Sequence, residues 1–121
     1  MEDKKVRIDL RRVEYETLIE ERHEAGVNWV TAKIIYDRYD EGTEEIRSRI
    51  MMKIGREKPE LGRNEILDLA KSTDEWTKFL DEKNEAKRAM LEYENLMGTL
   101  EWKLKAKQSI MANDREERKR I

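Results

Sequence analysis

The chain has 121 residues but no cysteine, only one proline and one histidine, and five glycines. The lack of cysteine excludes disulfides, thiolate zinc sites, iron–sulfur ligation and cysteine nucleophiles within this chain. Apolar stretches are short: none approaches the ~20 residues that span a bilayer, and the N-terminus lacks the apolar core of a secretory signal. We therefore expect a soluble protein with no membrane partner, located in the cytoplasm, or in the host cytoplasm if the protein is viral.

Charged residues, by contrast, are abundant. They make up 45% of the chain, against 37% hydrophobic residues, and the net charge is only −2. Ordinary domains contain roughly 25% charged residues, and an excess of charge with few helix breakers is typical of long solvated helices. The length allows one domain rather than two independent cores. The composition predicts a single all-α domain over residues 1–121.

Breakers divide this domain into segments. Residues 6–24 have the 3–4 apolar spacing of an amphipathic helix, although the alternation over residues 6–10 leaves a short strand open. Gly26 is predicted to end this segment. Gly42 is tolerable inside the next helix but could mark a bend. The predicted segments are an N-terminal helix or arm (1–26), a helix (27–55), a loop (56–63), a short helix (64–72), a long helix (74–113) and a basic tail (114–121).

Two capping signals mark the later helices. Asn64 is predicted to cap the short helix, and Ser72 with Glu75 fits a capping box before the long one. Along the long helix, apolar residues alternate at spacings of 3 and 4, as in a coiled coil, with Lys83 and Lys107 as polar interruptions. Unbroken, this helix would be ~60 Å long. Gly98 is the only plausible break.

So long a helix cannot bury its apolar stripe against a compact remainder of the chain. It needs the second helix along its length, and then a neighbouring subunit for what is left. The sequence therefore predicts an elongated antiparallel helical hairpin or bundle with a coiled-coil-like C-terminal helix, assembled as a homo-oligomer.

The near-neutral total hides two basic blocks. Residues 46–63 carry six basic and two acidic groups (+4), and residues 103–121 carry seven and three (+4). Residues 13–45 (−7) and 64–102 (−5) are acidic. The helix dipole partly explains the cations of residues 46–63, which lie at a helix C-terminus, but six cations with two acids exceed what capping requires. The cations of residues 103–121 lie at the chain terminus, where charged residues are commonly just a solvated tail. Multiplied by oligomer symmetry, such blocks indicate polyanion binding.

Catalysis finds little support in the sequence. Glu20-x-x-His23 is half of a carboxylate-bridged di-iron pattern, but its other half needs a second histidine. His23 is the only imidazole base for Ser48, Ser72 and Ser109, and no nucleophile elbow or phosphate-binding glycine loop occurs. We predict no enzyme activity, no catalytic residues, no metal, no cofactor and no small-molecule substrate.

Aromatic side chains and a short turn offer two further interpretations. Most aromatics, Trp102 among them, lie on or next to the apolar stripes, so core packing accounts for them better than base stacking; Tyr36 is the least well explained. Residues 40–43 could form the turn of a helix-turn-helix, which would place Arg47 and Arg49 on a recognition helix. The apolar stripe continues in phase across this turn, which favours an unbroken helix.

The order of elements resembles a known family. The run Arg47-Ser48-Arg49-Ile50-Met51-Met52-Lys53-Ile54-Gly55, the charged loop, the short helix Ile66 to Ser72 and the long helix carrying Gly98-Thr99-Leu100-Glu101 are together similar to the UvsY recombination mediators of T-even phages. The resemblance covers about residues 30–112. The loop is shorter here, and neither residues 1–26 nor the basic tail has a counterpart.

This resemblance implies a helical protein that assembles into rings and loads a recombinase onto DNA coated by single-strand-binding protein. A basic-x-basic pair before the loop contacts single-stranded DNA in that family, and it would fall on Arg47 and Arg49. The charge count selects the same block independently. The predicted nucleic-acid-binding residues are Arg47, Arg49, Lys53, Arg56, Lys58, Arg63, Lys103, Lys105 and Lys107.

The leading hypothesis from the sequence is an oligomeric single-stranded-DNA-binding accessory protein of phage recombination or replication. Its partners would be single-stranded DNA, its own copies, and a recombinase or single-strand-binding protein. The alternative is a helical structural or interaction adaptor without DNA binding of its own: a virion or assembly component, or a small inhibitor of a host nucleic-acid enzyme.

Overall fold

The computed structural model describes the backbone of residues 2–119 and the side chains of residues 12–119. It contains three helices: α1 (Glu2–Glu57), α2 (Arg63–Lys71) and α3 (Asp74–Lys119). The predicted all-α class is confirmed, and no strand occurs over residues 2–119. No helix in this part of the chain is both long and apolar enough to cross a membrane.

Helix α1 is continuous, so the predicted break at Gly26 is wrong. So are the strand alternative for residues 6–10 and the helix-turn-helix at residues 40–43. A glycine ends a helix by taking a positive φ, and no glycine of the described backbone has one. A Cβ added at Gly26 would lie 3.0 Å from the Arg22 guanidinium and 3.8 Å from the Met97 sulfur, so Gly26 lies close to side chains of both α1 and α3. The ~1 kcal/mol that glycine costs a helix interior does not break α1 here.

The connections are shorter than predicted. The loop between α1 and α2 is residues 58–62 rather than 56–63. Asn64 lies inside the first turn of α2, whose N-cap is Gly62, so it is not the cap. At α3 the cap is Thr73 rather than Ser72: the Trp76 amide donates to the Thr73 hydroxyl at 3.3 Å, while the Ser72 hydroxyl donates to the Leu69 carbonyl.

Helix α3 is also longer than predicted. It passes through Gly98 without a break and ends at Lys119, so the predicted end at residue 113 is wrong. Most of the predicted basic tail is thus helical, and Arg115 and Arg118 are exposed on it. Arg120 and Ile121 lie outside the described residues.

The chain divides into two compact units: unit 1 is Met1–Val30 with Leu91–Ile121, and unit 2 is Thr31–Met90. Unit 2 contains the last part of α1, all of α2 and the first part of α3. Its two long helices are antiparallel, because Tyr39 bonds Glu82 while Arg49 pairs with Glu75. The core lies where α2 joins them, and it is built on Ile50, Ala70, Trp76 and Phe79.

Unit 1 is a pair of helical segments alone. They too are antiparallel, because Tyr15 bonds Gln108 while Arg22 pairs with Glu101. Its buried hydrophobic residues, among those whose side chains are described, are Ala25 and Leu100. With only two helical segments, this unit buries few of its described side chains.

The two polar interruptions predicted in the seam of the long helix lie at these helix contacts. Lys83 of unit 2 pairs with Asp40 at 3.1 Å and donates to the Thr43 hydroxyl at 2.9 Å. Lys107 of unit 1 pairs with Glu14. Each lysine is thus placed among acceptors on α1, which explains how the seam accommodates a charge.

Candidate nucleic-acid interface

The first basic block forms a stripe at the end of α1. Arg49, Lys53 and Arg56 follow one another at spacings of 4 and 3, which place side chains on one face of a helix. They line a shallow surface groove in unit 2 together with Glu45, Ser48, Met52 and Glu57. Three cations of the first basic block thus lie side by side on the surface of α1, and Glu45 and Glu57 lie at the two ends of the groove.

The cations of this stripe are available to a ligand. Lys53 and Arg56 are exposed, and no ion pair joins either to another described residue. Arg49 pairs with Glu75 at 3.0 Å, but its side chain is 68% exposed. Exposed pairs of this kind are worth about 0–1 kcal/mol, so a phosphate can compete for Arg49 at little cost.

Arg47 lies elsewhere. Residues two positions apart on a helix point about 200° apart, so Arg47 and Arg49 do not share a face. Arg47 is half-buried and follows Ile46, a residue that packs on the core of unit 2. The structure thus separates the basic-x-basic pair and leaves Arg49 as its groove-lining member.

Two further cations of the block extend beyond α1. Lys58 is exposed in the loop, and Arg63 is exposed at the first position of α2. Together with the groove they give the loop-proximal end of unit 2 five exposed cations. These are Arg49, Lys53, Arg56, Lys58 and Arg63.

The second predicted block belongs to unit 1. Lys103 and Lys105 are exposed, whereas Lys107 is half-buried and held by Glu14. Helix α3 is unbroken at Gly98, so the bend considered at that residue does not occur. We treat the two blocks as separate surfaces.

The sequence predicted no catalytic or metal-binding groups, and the described side chains do not test that prediction. His23 is exposed on α1. Among residues 12–119, no group of three or more histidine, aspartate or glutamate side chains is placed to hold a metal ion.

A second groove, which was not predicted from the sequence, lies in unit 1. Trp102 was interpreted as a core residue, and that is wrong: it is 74% exposed. It lines the groove with Val13, Leu18, Lys103, Ala106 and Ile110, among others. The signal was present in the spacing, since Trp102 comes two residues after the buried Leu100 and so lies on the opposite side of α3.

The other aromatic interpretations agree with the structure in part. Trp76 and Phe79 are buried, with ring centroids 5.8 Å apart, and Tyr39 packs against Phe79 at the same separation. Trp29 is half-buried, and its indole N–H has no acceptor among the described residues. None of these rings lines the basic groove of unit 2.

Comparisons of the chain with protein-family models, with curated proteins and with solved structures found no match.

Proposed function

We propose that the protein binds single-stranded DNA through the exposed basic end of unit 2. The observation that carries the proposal is the stripe formed by Arg49, Lys53 and Arg56 on one face of α1. Lys58 and Arg63 continue it into the loop and α2. The three groove cations, with two more exposed close by in the sequence, can contact several phosphates, the interaction that dominates affinity for nucleic acid.

The chemistry of this surface favours binding without sequence preference. Lysine and arginine contacts to phosphate position a strand but do not read bases. Because the surface is a shallow groove on a helix, with no rigid pocket for a base, affinity depends on charge. Met52, 59% exposed in the same groove, adds an apolar contact on which an unstacked base of a flexible strand can pack.

Binding of this kind suits an accessory protein rather than an enzyme. As part of the proposal, the protein acts as a recombination mediator of the kind to which its sequence layout is similar, bringing a recombinase to single-stranded DNA. Arg47 has no role in this surface, so the contact assigned to the basic-x-basic pair rests on Arg49 alone.

The proposal is tested by fluorescence anisotropy of labelled oligo-dT titrated with the full chain at about 50 mM and about 200 mM salt. The informative variant is Lys53→Ala/Arg56→Ala. The matched control is Lys78→Ala/Lys87→Ala, which removes the same charge from exposed positions of unit 2 outside the groove.

We expect the groove variant to bind more weakly and to lower the slope of log K against log salt by about 1.4, since each phosphate contact to a single strand contributes ~0.7. The control should keep the wild-type slope. Absence of wild-type binding at about 50 mM salt, or an equal loss in the control, contradicts the proposal.

A second candidate function is that of a helical interaction adaptor without DNA binding. It is favoured by a different observation, the exposure of Trp102 in the apolar groove of unit 1. Exposed aromatic residues in a groove are typical of protein contacts. The anisotropy titration separates the two candidates, because an adaptor would show no salt-dependent binding to oligo-dT.

A further inference from the structure

Several apolar side chains of unit 1 are exposed to solvent and lie together in its groove. Val13 is 57% exposed, Trp102 74% and Ile110 44%, and all three line the groove with Leu18 and Ala106. Exposed apolar groups that converge on one groove, unlike scattered ones, mark an interaction surface. Nothing else among the described residues covers this surface, because the third helix of the chain, α2, belongs to unit 2.

Several polar groups within the groove are already paired inside the chain. Lys107 pairs with Glu14 from the facing helix, and the Thr17 hydroxyl donates to the Val13 carbonyl at 2.9 Å. A partner that covers these groups leaves none of them unpaired, which is the usual obstacle to burying such a surface. The charged groups that remain for a partner to match are Glu21 and Lys103.

We propose that the occupant is unit 1 of a second copy, packed face to face so that four helical segments enclose Trp102. The argument for a copy is charge complementarity. Glu21 stands on the α1 side of the groove and Lys103 on the α3 side. They lie at the same level, because the neighbouring residues Arg22 and Glu101 pair directly at 2.7 Å.

This arrangement selects one symmetry. A two-fold axis parallel to the helices lays α1 of each copy on α3 of the other, so Glu21 of each copy meets Lys103 of its partner. An axis across the helices would lay α1 on α1 and bring the acidic sides together. The charges therefore specify a parallel four-helix interface with two equivalent Glu21–Lys103 contacts.

The same charges disfavour a nucleic acid in this groove. A base could stack on Trp102, but Glu14 and Glu21 balance the charge of Lys103 and Lys107 in this groove. The groove of unit 2 has three cations against two glutamates and so keeps an excess of positive charge. The self-association surface is thus distinct from the basic stripe of unit 2, and the inference does not depend on DNA binding.

Sedimentation velocity of the full chain over about a hundredfold range of concentration measures the association. The matched pair of variants is Ile110→Glu, inside the groove, and Ile19→Glu, on α1 outside it; the two isoleucines are 44% and 45% exposed. We expect Ile110→Glu to abolish the dimer and Ile19→Glu to preserve it. Circular dichroism at the helix band tests whether both variants remain folded.

Trp102→Ala provides a second variant that cannot unfold the protein through lost burial, since this side chain is mostly exposed. We expect it to weaken the dimer by about thirtyfold, the effect of removing a central aromatic anchor. If Ile110→Glu loses its helical signal, the dissociation constant of Trp102→Ala decides the question.

The charge-swapped variants test the symmetry. Glu21→Lys places two like charges at each contact and should weaken the dimer, and the double variant Glu21→Lys/Lys103→Glu should restore it. A wild-type chain that stays monomeric at the highest concentration overturns the proposal and leaves the groove to another protein. Equal effects of the two isoleucine variants, or no rescue by the double variant, likewise overturn it. The anisotropy titration with oligo-dT measures DNA binding by unit 2, so its result does not depend on whether unit 1 forms a dimer.

Discussion

Units 1 and 2 are made of the same two helices, yet they bury their apolar residues to very different extents. Unit 2 holds the core residues Ile50, Ala70, Trp76 and Phe79. Among described side chains, its exposed large hydrophobic residues are Ile34, Ile35 and Met52. Those of unit 1 are Val13, Ile19, Val27, Val30, Leu91, Leu96, Trp102 and Ile110. Two helical segments alone leave much of their apolar surface exposed, as unit 1 shows.

The third helix accounts for this difference. Ala70 of α2 is 1% exposed and belongs to the same cluster as Ile50 of α1 and Trp76 of α3, so three helices share one core. A helix buries a broad apolar stripe only where it meets more than one neighbour. Among the described residues, unit 1 has only its two helical segments.

Phe79→Ala should produce the largest effect, because it creates a cavity in the core of unit 2. Phe79 is 7% exposed and contacts Trp76 and Tyr39. We expect the free energy of unfolding to fall by about 3–5 kcal/mol, the usual cost of removing a buried phenyl ring. Urea denaturation followed by circular dichroism, at a concentration too low for association, measures it.

Trp102→Ala is the control from unit 1 in the same measurement. This larger ring is 74% exposed, so its removal from the monomer should change the free energy of unfolding by less than about 0.5 kcal/mol. Comparable losses in the two variants would show that the contrast between the units is wrong.

Lys83→Met should have an intermediate effect. The Lys83 side chain is 19% exposed and its ammonium group contacts both Asp40 and Thr43. Hydrogen bonds to charged groups contribute about 1.5–3 kcal/mol, and methionine keeps the volume of the side chain, so we expect a loss near the lower end of that range. Urea denaturation of the variant against the wild type measures this loss.

The counterpart in unit 1 is Arg22→Met. The Arg22 side chain is 32% exposed and its partner Glu101 is 52% exposed, so this pair is well solvated. Its loss should cost less than about 1 kcal/mol. A cost for Arg22→Met equal to that of Lys83→Met would mean that unit 1 is packed as firmly as unit 2.

The fold was largely predictable because its signals are periodic. Apolar spacings of 3 and 4 predicted the helices, and Lys83 and Lys107 were predicted as polar interruptions of the seam. Their acidic partners on α1, Asp40 and Glu14, were not predicted. The ends were not predictable. Gly26 was wrongly taken as a helix end, because a glycine stops a helix only where its backbone takes a positive φ, and residue type alone does not tell that conformation.

The candidate site was predictable only in outline. The spacing of Arg49, Lys53 and Arg56 is in the sequence, and the structure places them on one face. Counting charge by segment could not separate them from Arg47, since their different burial depends on which face of α1 meets the core. Trp102 was missed for the same reason: an apolar residue near a stripe was assumed to belong to it.

Gly42→Ala and Gly98→Ala test whether the two units differ in packing alone. Gly42 lies within α1 in unit 2, and Gly98 lies within α3 in unit 1. A Cβ added at either position meets no atom within 4 Å. Alanine should therefore raise the free energy of unfolding by up to about 1 kcal/mol at both sites, since it removes the entropic cost of glycine in a helix interior.

Equal gains are expected because helix propensity is a local property, whereas burial is not. Urea denaturation measures both gains, with Gly26→Ala as the comparison: its Cβ would lie 3.0 Å from the Arg22 guanidinium, which must shift, so its gain should be smaller. A gain at Gly42 without one at Gly98 would show that the helix of unit 1 is itself less stable. The exposure of its apolar residues would then reflect weak helices rather than a missing neighbour.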